Sequence, residues 1–202
     1  MKILVLLNGC GHRDGSEIHE AVLTLTHIET HGCSYHCCAL DENQQTTIDH
    51  LAPHSPMNTA RNMLRESARI ARGQILDLTS VDPNNYDALI IPGGNGTAYN
   101  LCNFATAQNH MTVHHQVEKI ICDMYEQKKP IGAICIAPVL VAKVLANKGV
   151  KVTIGNDPST AKAINSWGAI HEQCAKDQCI TDHTNKIVTT PAYMYGESTL
   201  SE

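Results

Sequence analysis

Pro130-Ile131-Gly132-Ala133-Ile134-Cys135-Ile136-Ala137-Pro138 is the stretch on which the fold turns. Pro130 breaks the helical pattern of residues 112–128, and the four small or aliphatic residues that follow make a strand. A helix over residues 137–147 begins almost at once, with Pro138 tolerated because first-turn N–H groups have no intrahelical partner. So abrupt a passage from strand to helix forces Cys135 onto the connecting turn, where its side chain stands at the top of a sheet, the geometry called a nucleophile elbow.

The same alternation extends in both directions. Strands are expected at residues 3–7, 33–40, 86–91 and 151–154, with a short extended piece at Leu76 and Leu78 and a hairpin from residues 178–182 and 186–190. Between them, a helix capped by Asp14 or Ser16 runs to about His31, with Ile18, Val22, Leu25 and Ile28 on its inner stripe. Another starts at Asn58 or Thr59 and stops near Arg72 before Gly73, and a third covers residues 159–167 before Gly168. Strands alternating with helices in this way give an α/β fold, a doubly wound, mostly parallel sheet with helices on both faces. No compositional seam divides the 202 residues, so one domain spanning 1–202 is expected.

Composition narrows the function. Hydrophobic residues make up 43% of the chain with one Trp and one Phe, so the core is aliphatic. The 15 Lys+Arg against 20 Asp+Glu give a net charge of −5, and the basic residues form no stripe, which excludes nucleic acid as a partner. Residues 3–7 are too short an apolar run for a signal peptide and read as a buried strand. Nothing approaches the roughly 18 apolar residues of a membrane span, so no membrane partner is expected. Nine cysteines then indicate free thiols in a reducing compartment, and a cytoplasmic location. In His31-Gly32-Cys33-Ser34-Tyr35-His36-Cys37-Cys38, strand alternation turns Cys33 and Cys37 away from His36 and Cys38, so no metal site is expected and the cysteines act as small hydrophobes.

In open α/β sheets ligands sit beyond the carboxyl ends of the strands. Three loops fit that place: residues 9–11, 92–96 and 134–136. A helix N-terminus near Cys135 favours its thiolate, although an inert buried thiol fits the spacing equally well. The glycines of Pro92-Gly93-Gly94-Asn95-Gly96 permit a backbone N–H to approach the crevice, as an oxyanion site requires. No Gly-x-Gly-x-x-Gly or Gly-Lys-Ser/Thr pattern follows a strand, so nucleotide phosphate is not indicated.

Gly9-Cys10-Gly11-His12-Arg13-Asp14-Gly15-Ser16-Glu17-Ile18-His19-Glu20-Ala21, Ile91-Pro92-Gly93-Gly94-Asn95-Gly96-Thr97-Ala98-Tyr99-Asn100-Leu101, Gly132-Ala133-Ile134-Cys135-Ile136-Ala137-Pro138 and Lys186-Ile187-Val188-Thr189-Thr190-Pro191-Ala192-Tyr193-Met194 together resemble the ElbB-like branch of the ThiJ/PfpI superfamily. The resemblance covers nearly the whole chain. It implies a flavodoxin-like, class I glutamine-amidotransferase-like fold, a homodimer, and a cofactor-independent, lyase-type glyoxalase. The activity it implies converts small 2-oxoaldehydes to glycolate or lactate without glutathione and is linked to isoprenoid biosynthesis.

Residue by residue, the family's nucleophile matches Cys135. The first-helix glutamate touching the thiol matches Glu20 rather than Glu17, because Glu20 lies about twelve residues before the helix-closing Gly32, as the family's pattern requires. Gly94 and Ile136 match the positions whose N–H groups face an oxyanion. His19 is next to Glu20 but points about 100° away on a helix. Two departures stand out. Ile136 replaces the histidine that many members carry after the nucleophile, so no adjacent general base exists. The long amphipathic helix that follows the Thr-Pro-Ala-Tyr-Met motif in the family is not reached by Glu202, which bears on stability and dimer packing. Two other readings use the same thiol: a redox or carbonyl-stress sensor or deglycase in which Cys10 resolves an oxidised Cys135, and a glutaminase subunit. The last needs a His-x-Glu dyad that residues 189–193 do not supply.

Overall fold

The computed structural model describes residues 1–54, 57 and 59–202. Its strands are β1 (Lys2–Leu6), β2 (Ser34–Ala39), β3 (Ile75–Asp77), β4 (Ala88–Ile91), β5 (Ile131–Ile134), β6 (Lys151–Val152), β7 (Ile170–His171), β8 (Ile180–Asp182) and β9 (Ile187–Thr190). The helices are α1 (Ile18–Thr30), α2 (Met63–Ile70), α3 (Phe104–Ala107), α4 (His115–Glu126), α5 (Pro138–Val144) and α6 (Pro158–Trp167). Seven strands form one sheet in the order β3-β2-β1-β4-β5-β9-β8. All neighbours are parallel except the β8–β9 pair, which is the expected hairpin. The remaining pair, β6–β7, is parallel and separate. The result is the mostly parallel, flavodoxin-like α/β architecture.

Alternation along β1 separates two cores. Ile3, Val5 and Leu7 pack with Ala21, Leu25 and Ile28 of α1, while Leu4 and Leu6 face a larger cluster with Val117 and Ile121 of α4, Val139 of α5 and Ile164 of α6. Cys37 joins the first core and Cys38 the second, so neighbouring cysteines diverge as small apolar residues. Burial pushes both thiols up, Cys37 to about 11.

Several boundaries differ from the sequence expectation, each for a local reason. The inner stripe of α1 is Ala21, Leu25 and Ile28, whereas Ile18 and Val22 are exposed. Its N-cap is Glu17 rather than Asp14 or Ser16. Those two side chains hold loops instead: Ser16 Oγ accepts the Asn8 N–H of the preceding loop at 2.9 Å, and Asp14 Oδ2 accepts the Ile48 N–H of the segment between β2 and α2 at 2.7 Å. The start assigned to Asn58 lies outside the described residues, and Thr59 is not helical. Asn62 caps α2, accepting the Arg65 N–H at 2.9 Å. Thr112 does not open α4, because its N–H is held by Asn103 Oδ1 at 2.7 Å, and His114 is the cap instead.

Between β4 and α3, residues Thr97–Leu101 make a π-helical turn. Among the described residues no helix is long and apolar enough to cross a membrane.

Candidate active site

Because β1, β4 and β5 are neighbours, the loops after their carboxyl ends converge. The β5 loop is shortest. Cys135 follows Ile134 directly with φ +61°, a left-handed conformation that a non-glycine residue adopts only when its surroundings hold it there. Two backbone bonds fix it: Cys135 N–H donates to Thr190 O on β9 at 2.9 Å, and Ala137 N–H to Ile134 O at 3.0 Å. The cysteine is 8% exposed.

Against it stands Glu20, in the first turn of α1 and 5% exposed. Gly93 N–H donates to Glu20 Oε2 at 2.8 Å, and the Cys135 thiol and the Tyr193 N–H also lie near the carboxyl, although its buried Oε1 has no hydrogen-bond partner. A side chain on Gly93 would have no room. Its Cβ would fall 2.5 Å from Cys135 Cβ and 2.6 Å from Glu20 Oε2. Gly94 has φ +98° and packs where a Cβ would lie 2.3 Å from Gly15 O, so the β4 loop is pressed into the β1 loop. Glu17 N–H donates to Gly93 O at 3.0 Å across that junction.

The electrostatics follow from the burial. Desolvation raises the Glu20 carboxyl to about 7, the nearby Glu17 charge adds to the rise, and the Gly93 N–H, the Cys135 thiol and the Tyr193 N–H partly offset it. Burial likewise pushes the Cys135 thiol well above its ordinary value, and the Glu20 charge reinforces this. Backbone N–H groups of Gly94 and Ile136 face the sulfur and pull the other way. The thiolate preference expected from a helix terminus is therefore outweighed. Helix α5 starts only at Pro138 and is seven residues long, too short and too distant to offset burial beside a carboxylate.

Cys135, Glu20, Gly94 and Ile136 are thus brought together, as the sequence motifs expect. His19 is not part of the group. It is exposed, and its Nδ1 is hydrogen-bonded to Tyr193 Oη at 3.0 Å. Cys10 sits elsewhere on the β1 loop, its thiol pushed up by burial and by Glu66, with Arg69, Asp14 and Arg61 also facing it. Sequence reasoning misses Gly93 as the residue bridging acid and thiol, and it misses the Thr190 carbonyl and the Tyr193 N–H. The glycine pair after β4 is the available signal for the first; the other two act through the backbone and leave no mark on residue type. Among the described residues no three His, Cys, Asp or Glu side chains converge as metal ligands.

An apolar groove of about 640 Å³ opens beside Glu20, between α1 and the faces of β4, β5 and β9, with Leu23, His27, Ile134, Val188 and Tyr193 on its walls. It reaches the acid but not the sulfur.

Residues 2–195 match the DJ-1/PfpI family. The chain is 43% identical over 204 residues to the human glutamine amidotransferase-like class 1 domain-containing protein 3, mitochondrial, covering 96% of this chain and 75% of that protein. It is 42% identical to the Rattus norvegicus ES1 protein homolog, mitochondrial, with the same coverage. Among solved structures, an isoprenoid biosynthesis protein with an amidotransferase-like domain from Ehrlichia chaffeensis superposes with a TM-score of 0.91 at 37% identity, over 100% of this chain and 91% of that one. These relatives correct the cytoplasmic location. The ES1 protein of Danio rerio, 32% identical, is likewise named mitochondrial. Free cysteines mark a reducing compartment and do not distinguish one such compartment from another.

Proposed function

The chain belongs to the DJ-1/PfpI family, and from that premise we propose that it is a cofactor-independent glyoxalase acting on glyoxal or methylglyoxal through Cys135. The observation that carries this reading is the buried acid–thiol pair: a carboxyl raised to about 7, in contact with a cysteine on a strained turn that two backbone N–H groups face. Near neutral pH such a carboxyl is about half protonated, so it can both give and take a proton.

Glu20 as a carboxylate takes the Cys135 thiol proton as the sulfur bonds to the aldehyde carbon, and the carbonyl electrons move to oxygen, where the Gly94 and Ile136 N–H groups meet the developing charge. Protonation of that oxygen by Glu20 completes a hemithioacetal. Glu20, now a carboxylate, removes the proton from the former aldehyde carbon and delivers it to the neighbouring carbonyl oxygen to give an enediol; it then takes the proton of the first hydroxyl and places it on the neighbouring carbon, leaving a 2-hydroxyacyl thioester. Water cleaves the thioester to glycolate or lactate and restores the thiol. No electron acceptor is needed, because one carbon is oxidised as its neighbour is reduced.

The proposal includes one catalytic domain, a homodimer and a role connected with isoprenoid biosynthesis, the last supported by the likeness to the Ehrlichia chaffeensis isoprenoid biosynthesis protein. A sensor role has less support. The thiol is 8% exposed, and the charged groups facing Cys10 are on the β1 loop and α2 rather than at Cys135. The test is Cys135→Ser assayed with glyoxal by NMR, following glycolate. Turnover should vanish while the fold persists, and a serine variant that still forms glycolate at the normal rate would end the covalent mechanism.

A further inference from the structure

Arg13 stands half-buried on the loop after β1, and its buried Nε has no hydrogen-bond partner. Among the described residues its side chain enters no ion pair, because the acids around it are engaged elsewhere. Asp14 is wholly buried, but its Oδ2 accepts the Ile48 N–H at 2.7 Å and faces Arg61 Nη1 at 3.9 Å; its Oδ1, 3.8 Å from His50 Nε2, has no hydrogen-bond partner. Glu17 Oε2 accepts the Glu20 N–H at 2.7 Å. The two histidines beside Arg13 do not replace a missing partner. His50 Nε2 accepts the Arg13 backbone N–H at 3.3 Å and its Nδ1 lies 3.1 Å from Ile48 O, which together require the proton on Nδ1. His12 meets that ring edge-on at 4.9 Å, and burial, then His50 and Arg13, disfavour its cation. Arg13 is therefore a fixed positive charge with an unused donor, in surroundings where a donor is costly to leave unmade.

The loop that carries Arg13 is fastened to the reacting centre. Asn95 N–H donates to His12 O at 2.7 Å, and Gly94, the residue before Asn95, turns its N–H toward the Cys135 sulfur. On its other side the loop is pressed against His50, where a Cβ on Gly11 would lie 2.6 Å from the ring. Arg13 thus occupies the junction of the β1 loop, the β4 loop and the segment between β2 and α2, beyond the carboxyl ends of the strands, where ligands of such sheets bind. We propose that Arg13 is the anion-binding residue of this crevice, and that the natural substrate of the Cys135 site is a 2-oxoaldehyde carrying a carboxylate or phosphate group on the side away from the aldehyde. The proposal rests on the acid–thiol reading given above, which uses no positive charge and leaves Arg13 without a task. A guanidinium presents parallel N–H groups that match two oxygens of either anion. With Glu17 and Glu20 at the acid–thiol pair and a net charge of −5, an anionic substrate is repelled unless a cation is set aside for it. Glyoxal and methylglyoxal then represent the reacting part of that substrate, the part on which Cys135 and Glu20 act.

The experiment follows the Arg13 ¹⁵Nε resonance while inorganic phosphate or acetate replaces chloride at constant ionic strength. A saturable shift is expected at Arg13 and not at Arg61 or Arg69, which already face Asp14 and Glu66, and the anion that saturates it at the lower concentration identifies the group. The second readout is alkylation of Cys135 by iodopropionate and by iodopropionamide, which differ in charge and little in size, with peptide mass spectrometry giving both rates. Arg13→Gln should lower the ratio of the two rates about ten-fold, the effect of losing one charge-assisted hydrogen bond. Arg13→Lys keeps the charge without the fork and should lower it less. If neither anion moves the resonance, Arg13 is satisfied by water shared with Asp14 and the proposal fails. If the resonance moves but the ratio is the same in all three proteins, the anion is bound away from the sulfur and the substrate assignment fails. If both readouts respond and the unaltered protein makes no glycolate from glyoxal, the anion site stands and the glyoxalase reading fails instead. Should Arg13→Gln unfold, the lysine variant and the titration of the unaltered protein carry the same decisions.

Discussion

Replacing Gly93 by alanine isolates the contact on which the acid–thiol pair depends. The added Cβ would sit 2.5 Å from Cys135 Cβ, 2.6 Å from Glu20 Oε2 and 2.8 Å from Ile134 O. Ordinary carbon contacts begin near 3.4 Å, so something must move by roughly 0.9 Å; Cys135 Cβ and Ile134 O are fixed to the backbone, and Glu20 Oε2, the one side-chain tip among the three, can yield only by giving up its place beside Gly93 N–H. Gly93 does not need a left-handed φ, so the effect is one of space rather than backbone strain. Overpacking of this kind costs about 1–3 kcal/mol, which for a chain of this length lowers Tm by about 2–12 °C. Activity should suffer more than stability, because a displacement near 1 Å in a positioned group costs about 100-fold in rate. Thermal melting and glycolate formation from glyoxal measure the two effects. Gly132→Ala is the comparison, since its Cβ would meet only the Ile90 side chain, at 3.3 Å, and should leave both nearly unchanged. A Gly93→Ala enzyme with normal melting and normal turnover would show that acid and thiol do not need this closeness.

Glu20 also makes stability depend on pH. Its folded value of about 7 lies above the ordinary 4.5, so the folded state holds the proton more tightly, and the associated stability is present below about pH 4.5 and lost as pH rises to 7. The loss is about 3 kcal/mol, and urea unfolding at pH 5 and pH 8 should show it shrinking in Glu20→Gln; equal slopes in both proteins would refute it. Asp157, which caps α6 by accepting the Thr160 N–H at 2.7 Å, should cost about 1 kcal/mol when changed to alanine, read as a lower urea midpoint. A bulky maleimide should label the exposed Cys179 before Cys135, with peptide mass spectrometry giving the order; prior labelling of Cys135 would mean that the site opens readily.

What the sequence discloses depends on how local the determining force is. The bounds of β5 are legible because Pro130 and Cys135 flank an unbroken apolar run, and the place of Cys135 on the turn beyond it follows. Strand β4 reads two residues too long, since Tyr86 N–H closes a 3-10 turn by bonding Pro83 O instead of joining the ladder. The expected inner face of α1 is right in its second half and wrong in its first. Leu25 and Ile28 are buried as expected, but Ile18 and Val22 are exposed, because the sheet turns the helix so that Ala21 faces β1 and Glu20 faces the β4 and β5 loops. The pairing of Glu20 with Cys135 is reachable only through family motifs. Their contact is set by the strand order, which no residue spacing records.

That order has a consequence for synthesis. Glu20 leaves the ribosome on the first helix, the glycine that bridges it to the sulfur arrives with β4, and Cys135 comes with β5, but the carbonyl that pins the cysteine backbone belongs to Thr190 on β9. Until β9 has docked, Cys135 is an ordinary thiol among nine and its turn has no reason to hold a left-handed conformation. The acid–thiol arrangement therefore does not exist on the nascent chain before that strand is made. The site is completed only by the last parallel strand, and chains cut short before Ile187 should yield protein whose Cys135 titrates like any free cysteine.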